Sequence, residues 1–285
     1  MNRDGLNLRI ADRLREAADL LEQQQANRFR VAAYRRAADT IAALPEGIEA
    51  LIARAGVAGL TALPGIGSSL AAAIEQMVRL GRWPQLERLR GAAEPEKLFR
   101  AVPGVGPELA RRLCETLHVD TLEALETAAH DGRLETVPGV GPRRAAMLRA
   151  ALANMLARTR LRPRGPSVEP PVDLLLDVDR EYRDKAAADR LPKIAPKRFN
   201  PTGEAWLPVL HAQRGDWQFT ALFSNTALAH ELDRVRDWVV IYFHTDSEPE
   251  GQRTVVTETR GVLAGQRVVR GREAETRALA RAAGG

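Results

Sequence analysis

The 285-residue chain is poor in three things. It has one cysteine, Cys114, which excludes an intramolecular disulfide framework and a cysteine-ligated metal cluster. It has no long apolar run, and charged residues begin at Arg3 and Asp4. Neither a signal peptide nor a membrane-spanning helix is therefore expected, and a soluble cytoplasmic location with no membrane partner is. Lysine is scarce as well: of 42 basic residues only Lys97, Lys185, Lys193 and Lys197 are lysine. The others are arginine, which suits bidentate contact with phosphate but cannot form a Schiff base.

What the chain does have is one short stretch repeated. Leu63-Pro64-Gly65-Ile66-Gly67 returns as Val102-Pro103-Gly104-Val105-Gly106-Pro107 and again as Val137-Pro138-Gly139-Val140-Gly141-Pro142, 39 and then 35 residues further on. An alanine follows the second glycine by four residues each time, at Ala71, Ala110 and Ala145. Two glycines allow a sharp turn and close approach of a ligand. The helix that follows each turn aims its free N–H groups and positive dipole end back at it. One such loop is as often a structural turn as an anion site. Three that repeat the turn and the packing requirement together read as helix-hairpin-helix elements that grip a polyanion backbone.

Charge is distributed accordingly. Residues 1–164 carry 25 basic against 19 acidic residues, and residues 165–285 carry 17 against 18. The positive field thus lies with the repeated loops. Around them the periodicity predicts helices over 7–24, over 29–44 with Asn27 as cap, over 48–54, from Ser68 or Ser69 to Gly81, from Pro84 to Arg90, over 95–101, 107–117 and 121–130, and over 142–157. Asp120 with Glu123 reads as a capping box. Arg28, Arg30, Arg35 and Arg36 lie beside Tyr34, which makes either a solvated basic face or a phosphate-facing edge whose aromatic stacks on a base. The second and third loops are spaced as a tandem pair. Packed about a pseudo-twofold axis, they would bring Arg111, Arg112, Arg143 and Arg144 to the two strands of a duplex, fixing position without reading bases.

Residues 161–171 are rich in proline and arginine and read as a linker. Strand-like runs follow at 172–176, 207–213, 217–223, 238–243, 254–259 and 267–269, with Arg214-Gly215-Asp216 as a hairpin turn and helices near 178–190, 225–235 and 272–282. The fold class expected is multidomain: an all-α helix-hairpin-helix region, then a small α+β domain with a mostly antiparallel sheet. The division expected is 1–92, 93–160, the linker, and 172–285. Lys193, Lys197, Arg198 and His211 are the polar groups that could converge beside the sheet.

Residues 7–160 resemble the N-terminal part of family X DNA polymerases, the polymerase beta group. The likeness is carried by Asn27-Arg-Phe-Arg-Val-Ala-Ala-Tyr34-Arg-Arg-Ala-Ala38, by the loop at 63–67 and by the hairpins at 103–106 and 138–141. It implies DNA as partner. It also implies a DNA-end-binding role for Arg30, Tyr34, Arg35, Arg36, Gly65 and Gly67, and a duplex grip through Gly104, Gly106, Gly139 and Gly141. A monovalent cation at the hairpin loops follows from the same resemblance, with no other cofactor. Two departures bear on activity. Where lyase members of the family carry a Schiff-base lysine, this chain has Ala73. No Gly-Ser precedes the Asp177-Val178-Asp179 pair, and the residues after it are too few for a polymerase palm and thumb.

The reading is a sequence-independent DNA-binding protein acting at gapped, nicked or branched DNA in repair. Its C-terminal domain would touch a strand or recruit a repair protein. Two alternatives stay open. One is a nuclease or nucleotidyl transferase whose active site lies in residues 172–285, with Asp177, Asp179 and Glu258 as carboxylates. The other keeps the hairpins as protein-binding modules.

Overall fold

The computed structural model describes residues 3–157, 169–246 and 250–283. Helices α1 (Arg3–Gln23) and α2 (Arg28–Ala42) pack along each other, because Ile10, Leu14, Ala18 and Leu21 meet Val31, Ala37, Ala38 and Ile41 in one core. Asn27 starts α2 by accepting the Phe29 N–H at 2.8 Å, as its side chain predicts. Helix α3 (Ile48–Thr61) runs past the expected end near Arg54, because Gly56 takes a kink at φ +60° after which the helix resumes. Helix α4 (Ser68–Leu80) ends on left-handed Gly81, and α5 (Pro84–Leu89) closes the first core against α1.

A second core gathers α6 (Pro95–Phe99), α7 (Pro107–Leu117), α8 (Leu122–His130), a 3-10 turn at Arg133–Thr136 and α9 (Pro142–Ala157) around Phe99, Leu113, Leu125 and Leu152. The cap of α8 is a correction to the sequence reading. Thr121 supplies it, with its hydroxyl accepting the Ala124 N–H at 3.1 Å. Asp120 instead accepts the Tyr242 hydroxyl from far along the chain.

The expected linker lies largely outside the described residues, which resume at Glu169. Residues 172–176 do not form a strand; they open α10 (Val172–Ala187). A short apolar run fits either element. Here Val172, Leu175, Val178 and Tyr182 share one helical face and are all buried, so packing against the sheet decides for helix. The sheet is a simple antiparallel meander in sequence order: β1 (Lys193–Ile194), β2 (Leu207–Arg214), β3 (Trp217–Phe223), β4 (Val239–His244), β5 (Gly251–Thr257) and β6 (Arg267–Val269). Gly215-Asp216 joins β2 to β3, with Arg214 paired to Trp217 and Gly215 at φ +55°. Helix α11 (Ala227–Glu231) lies between β3 and β4, and α12 (Glu273–Ala283) follows β6.

The alternation of the strands sends Leu210, Phe219, Ala221, Ile241, Phe243 and Val255 toward α10, where they form a third core. The opposite face presents His211, Gln213, Thr220, Tyr242, His244, Gln252 and Thr254, and it docks on the helices. Asn27 donates to Gln213 (2.6 Å) and His211 bonds Gln24 (3.0 Å). Arg88 stacks over the Tyr242 ring at 3.6 Å and pairs with Glu250. Gln252 and Thr254 both donate to the His118 carbonyl, at 3.2 Å each. Both helical cores are thus braced by one polar sheet face, which is why all six residues of β4 are buried.

That joint makes the fold sensitive to acid. Burial, with Arg270 and Arg133 nearby, lowers the His118 pKa to about 4. Burial, with Arg30 and Arg88 nearby, lowers that of His244 to about 3. His211 is pushed well down by burial and Arg30. In each case the unfolded chain binds the proton first, so stability is full above about pH 6.5 and falls as pH drops toward 4. Each histidine costs about 1.4 kcal/mol per pH unit across its window. Buried Asp120 and Glu75, whose pKa values are raised, act with the opposite sign and offset part of this loss. Thermal melts between pH 7 and 4 should show a steep fall in Tm, and a His118→Asn/His244→Asn variant a shallower one. A Tm flat over this range would contradict the buried neutral histidines.

Candidate nucleic-acid interface

The three repeated stretches fold alike. Their first glycines, Gly65, Gly104 and Gly139, stand at φ +74°, +84° and +83°, a region where a Cβ is strained. The second glycines Gly67 and Gly106 are extended, with ψ 175°, and cap α4 and α7. Each hairpin closes with one backbone bond: Ile66 N–H to Leu63 (3.3 Å), Val105 to Val102 (3.0 Å) and Val140 to Val137 (3.0 Å). The first turn of each following helix is tied by Ala71, Ala110 or Ala145 to the second glycine at 2.9 Å. Those alanines are wholly buried, which explains why the repeat includes them. Any larger side chain would push helix from hairpin.

The second and third hairpins face each other. Arg112, eight residues after Gly104, donates from Nη1 to the Pro138 carbonyl at 2.8 Å. It lies where a Cβ on Gly139 would come within 2.9 Å. Met147, eight residues after Gly139, lies where a Cβ on Gly104 would come within 2.8 Å of its methyl. These reciprocal contacts are those of a pseudo-twofold pair. Gly139→Ala combines the left-handed penalty of about 1–2 kcal/mol with displacement of Arg112. It should weaken DNA binding more than Gly141→Ala, where a Cβ meets nothing within 4 Å.

The candidate side chains do not all reach this surface. Arg143 and Arg144 are exposed on the first turn of α9; Arg144 donates to the Gly139 carbonyl at 3.3 Å, and neither makes an ion pair among the described residues. Arg36 is exposed beside Gly65. Arg111 is held by Glu108 (2.7 Å) and Glu115 (2.6 Å) on its own helix, and Arg35 by Asp19 and Glu22. Two placements correct the end-binding expectation for α2. Tyr34 is buried, stacked on Trp83 at 5.9 Å with its hydroxyl accepting from Gln85, so its ring is not open to a base. Arg30 is buried under the sheet, with Nη1 3.5 Å from Thr220 Oγ1. The first hairpin is also touched by the C-terminal region, for the Ser69 N–H at the start of α4 donates to the Asp246 carbonyl at 3.4 Å. No signal within residues 27–38 could have shown this cover, because it comes from Trp83 and from β3, which lies 190 residues beyond Arg30.

The third hairpin suits phosphate better than a cation. In the third, the Pro138 and Gly139 carbonyls already accept from guanidinium groups, which bring positive charge to the place a cation would take. The residues there do not fit a bound monovalent ion. Nor do the C-terminal candidates converge. Lys193 pairs with Asp189, Lys197 lies 3.7 Å from Glu94, Arg198 pairs with Glu96, and His211 is enclosed between Thr220 and Gln24. Asp177 and Asp179 stand two apart on a helix rather than at a strand end, and so diverge. Asp177 is taken by Arg180 and Arg214, Asp179 by Arg183 and Arg267, and Glu258 by Arg270. Among the described residues no group of three His, Cys, Asp or Glu could hold a metal ion.

Comparison with known families agrees with the backbone geometry. Residues 6–83 match the family model of a helix-hairpin-helix domain, and residues 96–154 that of a SAM-like helix-hairpin-helix tandem. The chain carries two helix-hairpin-helix domains. Such domains bind DNA in general without reading its sequence, and the basic half of the chain is the half they occupy. No curated protein matches the chain. Among the described residues no helix is long and apolar enough to cross a membrane.

Proposed function

We propose that this protein grips double-stranded DNA by its phosphates through the tandem hairpins at 102–107 and 137–142, independently of sequence, and acts at gapped, nicked or branched sites in repair. The observation that carries the reading is the reciprocal placement of Arg112 and Met147 across the two hairpins, with Arg143 and Arg144 exposed beside them and in no ion pair among the described residues. Arranged so, the free N–H groups of α7 and α9 can meet one strand each. The three large hydrophobic cores correspond to three domains, 1–92, 93–160 and 172–285, on this reading. The resemblance of residues 7–160 to the N-terminal part of family X polymerases supports DNA as the ligand of the first two. Cover of α2 by the sheet, and contact of Asp246 with the start of α4 beside the first hairpin, favour assigning duplex binding to the tandem pair and a bracing role to the C-terminal domain.

Fluorescence anisotropy with random-sequence duplexes over a salt series tests this. The expected result is equal affinity for unrelated sequences and a linear fall of log K with log salt of slope about −0.9 per phosphate contacted. Binding that is indifferent to salt would sink the reading.

A further inference from the structure

The chain enters each hairpin through two successive three-residue closures. In the first hairpin Leu63 N–H bonds Leu60 (3.1 Å) and Ile66 N–H bonds Leu63 (3.3 Å). In the second, Val102 bonds Phe99 (2.9 Å) and Val105 bonds Val102 (3.0 Å). In the third, Val137 bonds Leu134 (3.1 Å) and Val140 bonds Val137 (3.0 Å). Such turns rise about 2 Å per residue, so the residue four before the first glycine has its Cα within about 8 Å of that glycine. A long side chain there reaches the loop. The position holds Thr61, Arg100 and Glu135 in the three hairpins. Thr61 is neutral, and its hydroxyl donates to the Ala58 carbonyl at 3.1 Å. Arg100 and Glu135 are exposed, and neither enters an ion pair among the described residues.

The second hairpin needs a cation from outside the helix that follows it. On α7, Arg111 pairs with Glu108 and Glu115, and Arg112 pairs with Glu108 at 3.1 Å while bracing Pro138. Two arginines thus meet two carboxylates, and no net charge is left over. On α6, Lys97 is held by Glu94 at 2.5 Å. Arg100, the C-cap of α6, keeps its guanidinium uncommitted beside a loop where the N-terminus of α7 already favours an anion. We infer that Arg100 is the phosphate-contacting cation of the second hairpin, in place of Arg111 and Arg112. The tandem pair is then charged from opposite sides: ahead of the loop in the second hairpin, and after it, through Arg143 and Arg144, in the third. Glu135 stands where Arg100 does and tempers the grip of the third hairpin, which stays net positive through those two arginines. The inference rests on the DNA-binding reading and supplies the second hairpin with the charged contact that reading leaves open.

Anisotropy of the full chain on a random-sequence duplex, over a salt series, decides it. Arg100→Ala should weaken binding about fivefold near physiological salt and flatten the slope of log K against log salt by about one, the share of one phosphate contact. Arg100→Lys keeps the charge and should keep the slope. Arg111→Ala should change the slope far less than Arg100→Ala. Glu135→Gln should tighten binding by about twofold or more, since it removes a like charge from the phosphate-facing position. If Arg100→Ala leaves affinity and slope unchanged while Arg143→Ala weakens binding, the inference is overturned and the phosphate grip stands. A loss in Arg100→Ala with no change of slope also overturns it, because the contact is then not electrostatic. Absence of binding by the wild type overturns both.

Discussion

Replacing Arg143 and Arg144 together by alanine should weaken binding to random-sequence duplex by roughly 30-fold near physiological salt, and should flatten the slope of log K against log salt by about two. Both side chains are exposed on the first turn of α9, where the helix N-terminus adds its own positive potential, and no carboxylate among the described residues neutralises them. Arg112 remains in the double variant and still donates to Pro138, so the hairpin keeps its shape and loses, besides charge, one long exposed bond from Arg144 to the Gly139 carbonyl. Stability should therefore change by no more than about 0.5 kcal/mol, as for other exposed positions. The matched control is Arg111→Ala. That guanidinium is already shared between two carboxylates of its own helix, so its removal frees acid as well as base and should change the slope far less. Anisotropy measured at several salt concentrations on the three proteins provides the check. Equal slopes for wild type and the double variant would remove the third hairpin from the interface.

The second large effect concerns stability. Asp179→Ala should destabilise the C-terminal domain by about 3 kcal/mol or more, because it deletes one partner of a buried ion pair and strands the other. Asp179 is 1% exposed and receives Arg267 through two nitrogens, at 3.0 and 2.6 Å, with Arg183 adding a third bond at 3.1 Å. Arg267 keeps Asp237, Thr257 and two carbonyls, which places the expected cost at the lower end of the range for broken buried pairs. Asp177→Ala is the contrast. Its carboxylate meets Arg180 and Arg214 at the surface, and its loss should cost less than about 1 kcal/mol. On a domain of this size the first variant should lower Tm by more than about 10 °C and the second by only a few degrees. A metal-binding pair would behave otherwise: both variants would keep their Tm and lose a metal-dependent activity together.

What was legible in the sequence was what depends on local geometry. A left-handed turn needs its glycine and a close helix start needs its alanine, so the hairpins and the starts of α4, α7 and α9 could be placed from the residues alone. The antiparallel sheet was legible too, because Gly215-Asp216 turns a chain that alternates on both sides. What was not legible depended on partners distant in sequence. The run at 172–176 is apolar enough for a strand and becomes a helix only because the sheet takes one face of it. Asp120 has the spacing of a cap and is drawn away by Tyr242. Tyr34 and Arg30 sit in a basic, aromatic segment that looks open to a ligand, and Trp83 and β3 close it.

The most direct test of the central claim is amide hydrogen exchange on the full chain, with and without a gapped duplex of random sequence. The expected result is new protection at 104–107 and 139–144 on adding DNA, with residues 65–69 unchanged because the C-terminal region already touches them. Protection that appears at 65–69 and leaves 104–107 and 139–144 unaltered would contradict the account and return the grip on DNA to the first hairpin.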